Sequence, residues 1–294
     1  MKPGLFVQLL IILAMTVRAM SQDAPTTAPA GRGGRGGAPR VPINPALPTL
    51  WIIGDSTVKN GADTGGNGQW GWGNPIAAYF DQEKINVQNR ALGGTSSRTF
   101  YRDNWPRILP EIKQGDFLIM QFGHNDSSPV NDNSRARGTM RDNGDEVQEI
   151  DNMLTGKHEI VHSYGWYLRT MIAEARARGV VLAMVCSPIP RNNWPNGKMI
   201  PSNYNEVAEA AAKQVNAVYI DLNERVIKKY EPLGQEKVTE LYFPEKETTH
   251  PDWAGAILNA ECVIECLKDI NSPLARYLKP VSPTGLKNPT GKAR

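Results

Sequence analysis

Short apolar runs recur along the chain, separated by longer stretches with helical spacing. Residues 50–53 (Leu50, Trp51, Ile52, Ile53) form one such run, and it stops at Gly54. Others stand at 85–87, 117–120, 180–185 and 218–220. Continuous apolar runs of this length fit strands covered on both faces. Between them, residues 166–178 carry Leu168, Ile172 and Ala175 on one helical face, and Gly179 stands where a helix would stop. Residues 204–215 and 254–267 repeat that pattern. Strands alternating with helices predict an α/β fold, a parallel sheet with helices on both sides. In such sheets ligands bind beyond the carboxyl ends of the strands. Residues 127–158 show no clear period and contain Gly138, Gly144 and Gly156, so they read as a long loop overhanging that edge.

Composition sets the limits. The chain has 294 residues, 40% of them hydrophobic, enough for one sizeable α/β domain. A net charge of +3, part of it from Arg32, Arg35 and Arg40, does not argue for a nucleic-acid partner. Lys2, the apolar stretch 5–17 and small residues at Ala19 and Ser21 read as a signal peptide over 1–21. The apolar stretch is too short for a comfortable membrane span, so a secreted or periplasmic protein with no membrane contact in its mature form is expected. No cysteine stands near the cleavage site, which argues against a lipoprotein. Residues 22–48, rich in Ala, Pro, Gly and Arg, read as a flexible linker. A folded domain is expected over 49–280 and a tail over 281–294. Cys186, Cys262 and Cys266 read as buried free thiols, because three cysteines make no disulfide framework.

Four motifs fall at or after predicted strand ends. They are Gly54-Asp55-Ser56-Thr57, then Asn89 to Ser96 with Gly93 and Gly94, then Gly123-His124-Asn125-Asp126, and Glu247-Thr248-Thr249-His250 before the last helix. Together they could fill every role in acyl transfer. A serine hydroxyl is a weak nucleophile and needs an adjacent base. His250 can take the Ser56 proton, and Glu247 is close enough in sequence to orient the imidazole. The Ser56 N–H, the Gly94 N–H and the Asn125 amide can meet an oxyanion.

These blocks resemble the SGNH (GDSL-like) hydrolases. Gly54 to Lys59, Gly71-Trp72-Gly73, Gly94 to Arg98, Phe122 to Asp126 and Ser187 to Asn192 resemble its rhamnogalacturonan acetylesterase branch. The likeness covers roughly residues 49–270. It implies a flavodoxin-like, three-layer α/β/α sandwich with a central parallel sheet. It implies a serine esterase acting on an acetylated polysaccharide or oligosaccharide without metal or cofactor, with Ser56, Gly94, Asn125 and His250 in the roles above. The family usually has Asp three residues before the histidine, where this chain has Glu247; Asp252 is the fallback, although it also suits a helix cap. Trp72, His124, Arg98 and Arg191 are candidate substrate contacts. Trp70 and Trp105 suit sugar stacking or core filling equally. Arg98, Arg102 and Arg191 suit uronate carboxylates or structural ion pairs.

Three other readings compete. A lipase or thioesterase of the same superfamily would act on other acyl esters, and a non-catalytic carbohydrate-binding protein would turn over nothing. The third rests on His158-Glu159-Ile160-Val161-His162, which matches H-E-x-x-H and on a helix would place two imidazoles together for zinc. Position 168, where an extended motif needs a further ligand, is Leu168, and Glu174 has unusual spacing. The segment is therefore expected to enter a helix beside the cleft. Gly66 to Gly71 matches G-x-G-x-x-G but lies well past the first strand, so dinucleotide binding is not supported.

Overall fold

The computed structural model describes residues 42–61, 65–282 and 285–291. The expected signal peptide, and the linker as far as residue 41, lie outside the described residues. The remainder of that linker is tied to the body: Asn44 exchanges hydrogen bonds with Asn86, and Lys113 Nζ donates to the Pro45 and Leu47 carbonyls.

Five strands form one parallel sheet. They are β1 (Thr49–Gly54), β2 (Asn86–Asn89), β3 (Phe117–Gln121), β6 (Leu182–Cys186) and β7 (Val218–Ile220), in the order β2-β1-β3-β6-β7. A separate antiparallel hairpin pairs β4 (Val147–Asp151) with β5 (His158–His162). The helices are α1 (Ser97–Asp103), α2 (Trp105–Ile108), α3 (Tyr164–Ala177), α4 (Asn205–Gln214), α5 (Leu222–Tyr230), α6 (Gly234–Tyr242) and α7 (Trp253–Asp269). Alternation along the strands builds two cores. Leu50, Ile52, Phe117 and Ile119 face one way, onto residues of α5, α6 and α7. Trp51, Ile53, Leu118 and Met120 face the other way, onto α1 to α4. The sandwich is the expected α/β/α fold. Among the described residues no helix is long and apolar enough to cross a membrane. The three cysteines are buried free thiols.

The five predicted strands and three predicted helices are present. Residues 180–181 leave the fourth predicted run, because Val180 N–H still bonds the Ala175 carbonyl at the end of α3. Gly179 ends that helix at φ 99°, a conformation that favours glycine. The larger departure is H-E-x-x-H, which leads directly into α3 as expected but is itself strand β5. Residues four apart on a strand are separated by roughly 13 Å. His158 therefore meets Glu149 and Asp151 near one end of β5, while His162 stacks on Trp166 near the other, 3.6 Å between ring centroids. Glu159 points to the opposite face and grips Arg98. Glu174, the distant third ligand of that reading, accepts from Tyr101 Oη and Trp105 Nε1.

Candidate active site

β1, β2 and β3 deliver three of the four motifs to one edge of the sheet. At the end of β1 the chain turns sharply. A Cβ on Gly54 would lie 2.5 Å from the Gln121 carbonyl oxygen, so only glycine lets β1 and β3 stay this close there. Asp55 Oδ1 then accepts from Thr57 N and Thr57 Oγ1 at 2.8 and 2.7 Å. Gln121 Nε2 donates to Thr57 Oγ1, and Trp72 Nε1 donates to Gln121 Oε1 at 2.8 Å. This buried polar chain fixes the turn that presents Ser56, whose residue surface remains 8% exposed.

Ser56 Oγ lies 2.8 Å from His250 Nε2. The histidine loop is tied down from three sides. Trp70 N–H bonds the Pro251 carbonyl, Asn192 N–H the Thr248 carbonyl, and Asp252 N–H the Tyr242 carbonyl. Glu247 Oε1 accepts the backbone N–H groups of Thr248, Thr249 and His250 at 3.0, 2.7 and 3.1 Å, and lies 3.4 Å from His250 Nδ1. That nitrogen has no hydrogen-bond partner among the described residues. Gln69 Nε2 holds the other Glu247 oxygen at 2.5 Å and is itself held by Asn60. Burial pushes the Glu247 pKa up, but the backbone donors of Thr249 and His250 and the nearby imidazole outweigh it, and the net shift is downward. The carboxylate is thus ionised and fixed beside the ring. Asp252 caps α7 through Gly255 N–H, as its position before the helix suggests.

Gly93 packs against the serine: a Cβ there would sit 3.4 Å from Ser56 Cβ. Gly94 follows at φ 85°. Neither the Ser56 N–H nor the Gly94 N–H has a hydrogen-bond acceptor among the described residues. Asn125 Nδ2 donates to Thr95 O at 2.8 Å, and its second N–H has no acceptor among the described residues. Asp126 is fully buried beneath this edge, where it accepts from Ser97 N and Oγ and from Thr139 Oγ1. Burial raises its pKa to about 7, with Asp55 adding to the rise and the Ser97 bonds opposing it.

The candidate substrate contacts divide. Arg191 is exposed at the site and donates to Thr249 Oγ1, one residue from the imidazole. His124 lies within electrostatic reach of Asp55, Arg191 and His250, and desolvation lowers its pKa to about 4, so it is neutral at physiological pH. Trp72 and Arg98 do not reach substrate. Trp72 is completely buried and serves the chain that holds the Ser56 turn. The Arg98 side chain is 1% exposed; it binds Glu159 through two bonds and the Val130 and Gly138 carbonyls through Nη1. Arg102 also pairs with Glu159 and with Asp103. Trp70 and Trp105 are core residues. Two residues had no visible signal in the sequence. Gln69 is a lone amide in a glycine-rich stretch, and Arg137 is one of several arginines in the aperiodic region.

A parallel α/β/α sandwich with a Ser–His pair at its strand ends defines a class, the SGNH-type hydrolases, which are carboxylic ester hydrolases. The chain belongs to the GDSL-like lipase/acylhydrolase family, whose profile matches residues 52–256. A probable rhamnogalacturonan acetylesterase of Bacillus subtilis, YesY, is 30% identical over 78% of this chain and 96% of its own length. The rhamnogalacturonan acetylesterase of Emericella nidulans is 27% identical over 74% of this chain and 84% of its own. The crystal structure of YxiM from Bacillus subtilis superposes with a TM-score of 0.61 at 25% identity, covering 77% of this chain and 57% of YxiM.

Proposed function

We propose that the protein is an exported serine acetylesterase that removes acetyl groups from a plant cell-wall polysaccharide, pectic rhamnogalacturonan in particular. The observation that carries the reading is the 2.8 Å contact between Ser56 Oγ and His250 Nε2, made by residues 194 positions apart. The names of the relatives at 27 and 30% identity support the substrate. Export rests on the apolar pattern of residues 1–21.

The mechanism follows from the atoms in place. Ser56 Oγ attacks the acetyl carbonyl carbon while His250 Nε2 takes its proton. Glu247 keeps the Nδ1 side of the ring protonated, which leaves Nε2 free to accept. The carbonyl oxygen becomes an oxyanion and is met by the Ser56 and Gly94 N–H groups and by Asn125 Nδ2. When the tetrahedral intermediate collapses, the bond to the sugar oxygen breaks and that oxygen takes the Nε2 proton. Water then attacks the acetyl-serine, giving its proton to Nε2. The acyl bond breaks, acetate departs, and the proton returns to Ser56 Oγ. A neutral His124 places no additional positive charge beside His250.

The test is acetate release from matched acetylated fragments of pectic rhamnogalacturonan, xylan and mannan. The expected result is the highest kcat/KM on the rhamnogalacturonan fragments. A clear preference for xylan or mannan, or for long-chain acyl esters over acetates, would overturn the substrate assignment.

A further inference from the structure

Two guanidinium groups flank Ser56, and neither has a carboxylate partner among the described residues. Arg191 comes from the segment after β6 and rests on Thr249, next to His250. Arg137 comes from the long segment after β3. Its Nη1 donates to the Gly94 carbonyl at 2.6 Å and its Nε to Ser128 Oγ at 3.2 Å. Gly94 follows the glycine that packs on Ser56, so the Arg137 guanidinium is held one residue from the backbone that touches the nucleophile. In the strand order β2-β1-β3-β6-β7, the end of β1 that carries Ser56 lies between those of β2 and β6. Arg137 rests on the loop after β2, and Arg191 comes from the loop after β6. The two cations therefore bracket the reacting centre.

Arg137 is held in position by its surroundings. Gly138 N–H bonds the Pro129 carbonyl, and Thr139 N–H bonds the Asp126 carbonyl. A Cβ on Gly138 would lie 1.8 Å from the Ser128 carbonyl oxygen, so the residue after Arg137 packs directly on backbone. Arg98 Nη1 clamps the Val130 and Gly138 carbonyls, fixing both sides of the segment. A guanidinium has five N–H donors. Arg137 spends only two of them, both on neutral acceptors, and Nη2 makes no hydrogen bond among the described residues. The carboxylates whose charge it feels have other donors. Asp126 accepts from Ser97 and Thr139, Asp132 from the backbone of Ser134, Arg135 and Ala136, and Asp55 from Thr57. A half-buried, preorganised cation with an open fork suits a planar carboxylate, which can take two parallel bonds from it.

The geometry points to Arg137 as a specificity-determining residue that binds the carboxylate of an acidic sugar next to the acetylated unit, with Arg191 meeting the acidic chain on the opposite side. This assignment rests on the acetylesterase reading. It predicts that charge on the substrate acts mainly through KM, because the contact is made outside the reacting bonds.

The experiment uses the full chain with acetylated rhamnogalacturonan oligosaccharides, their carboxylates either free or methyl-esterified, and an aryl acetate beside them. The wild type is expected to show a KM at least about tenfold lower for the free acid, the scale of one lost charge-assisted bond. Arg137→Gln should shrink that preference to about twofold or less, and Arg137→Lys should keep part of it. In the wild type, the free-acid KM should also rise with ionic strength while the aryl acetate KM does not, a readout that needs no variant. A wild type indifferent to methyl-esterification, or an Arg137→Gln enzyme that retains the full preference, would overturn the role of Arg137 alone. No acetate release from either oligosaccharide, with the aryl acetate still cleaved, would overturn the carbohydrate reading and this assignment with it.

Discussion

The chain places histidines beside carboxylates in two regions, and only one of them brings an imidazole onto a nucleophile. At the strand ends, His250 reaches Ser56 across 194 residues of sequence, because β1 presents the serine at that edge and the loop between α6 and α7 brings the imidazole to it. On the β4–β5 hairpin, His158 and His162 have the spacing of a zinc motif but lie along a strand, roughly 13 Å apart. There Glu159 serves structure, gripping Arg98 and accepting from Asn152. The lesson is physical: a spacing carries chemistry only together with the period of the element that holds it.

The largest effect should come from the edge. His250→Ala is expected to lower kcat on an aryl acetate by about 10⁴-fold or more, the scale seen when a base is removed from a Ser–His unit. Its thermal unfolding should stay near that of the wild type. A loss below tenfold would place the base elsewhere. Glu247→Gln removes the charge that fixes the imidazole, and a fall of at least about 10²-fold in kcat is expected. Unchanged kcat would return Asp252 to consideration.

Arg98→Met should act on stability instead. It strands Glu159, whose side chain is 15% exposed, without its main partner. Removing one member of such a pair costs roughly 3 kcal/mol, readable as a lower midpoint in denaturant. The two regions also predict opposite responses to pH. Burial raises Asp126 from an ordinary 3.8 to about 7, so the folded state binds the extra proton between those values. Its contribution to stability therefore falls as pH rises from about 4 to 7, and Asp126→Asn should flatten that slope in a plot of Tm against pH. For Glu159, burial opposes ionisation, but the Arg98 bonds prevail and bring it to about 2. Its contribution is present above its ordinary 4.5 and is lost as pH falls towards 2. A Tm that rises with pH from 4 to 7 and ignores Asp126→Asn would contradict the buried-carboxylate account. Smallest of all, His158→Ala should shift stability by no more than about 0.5 kcal/mol. It should leave hydrolysis intact in the presence of a chelator. A large, zinc-reversible loss would restore the hairpin as a metal site.

Much of this was legible in the sequence. Buried parallel strands such as Leu50 to Ile53 are apolar on both faces and announce themselves. Glycine-flanked motifs at their ends place Ser56, Gly94 and Asn125 at the expected edge. Less was legible where partners come from far away. Trp72 and Arg98 look like sugar contacts beside their motifs, but Gln121 and Glu159 claim them once the chain folds. The hairpin was hidden because most of its strand residues are exposed and only Ile150 and Val161 among them are buried. The short helix α1 lacks an apolar stripe and begins with a Ser96–Thr99 capping box, which gives no apolar period.

The central claim is that Ser56 carries the acetyl group, and it can be read directly. Wild-type protein quenched with acid during turnover of an aryl acetate should carry one acetyl group on the peptide containing Ser56. Ser56→Ala should neither hydrolyse the ester nor acquire the label, while unfolding at the wild-type temperature. Hydrolysis retained by Ser56→Ala, or an acetyl group mapped to another residue, would contradict the account.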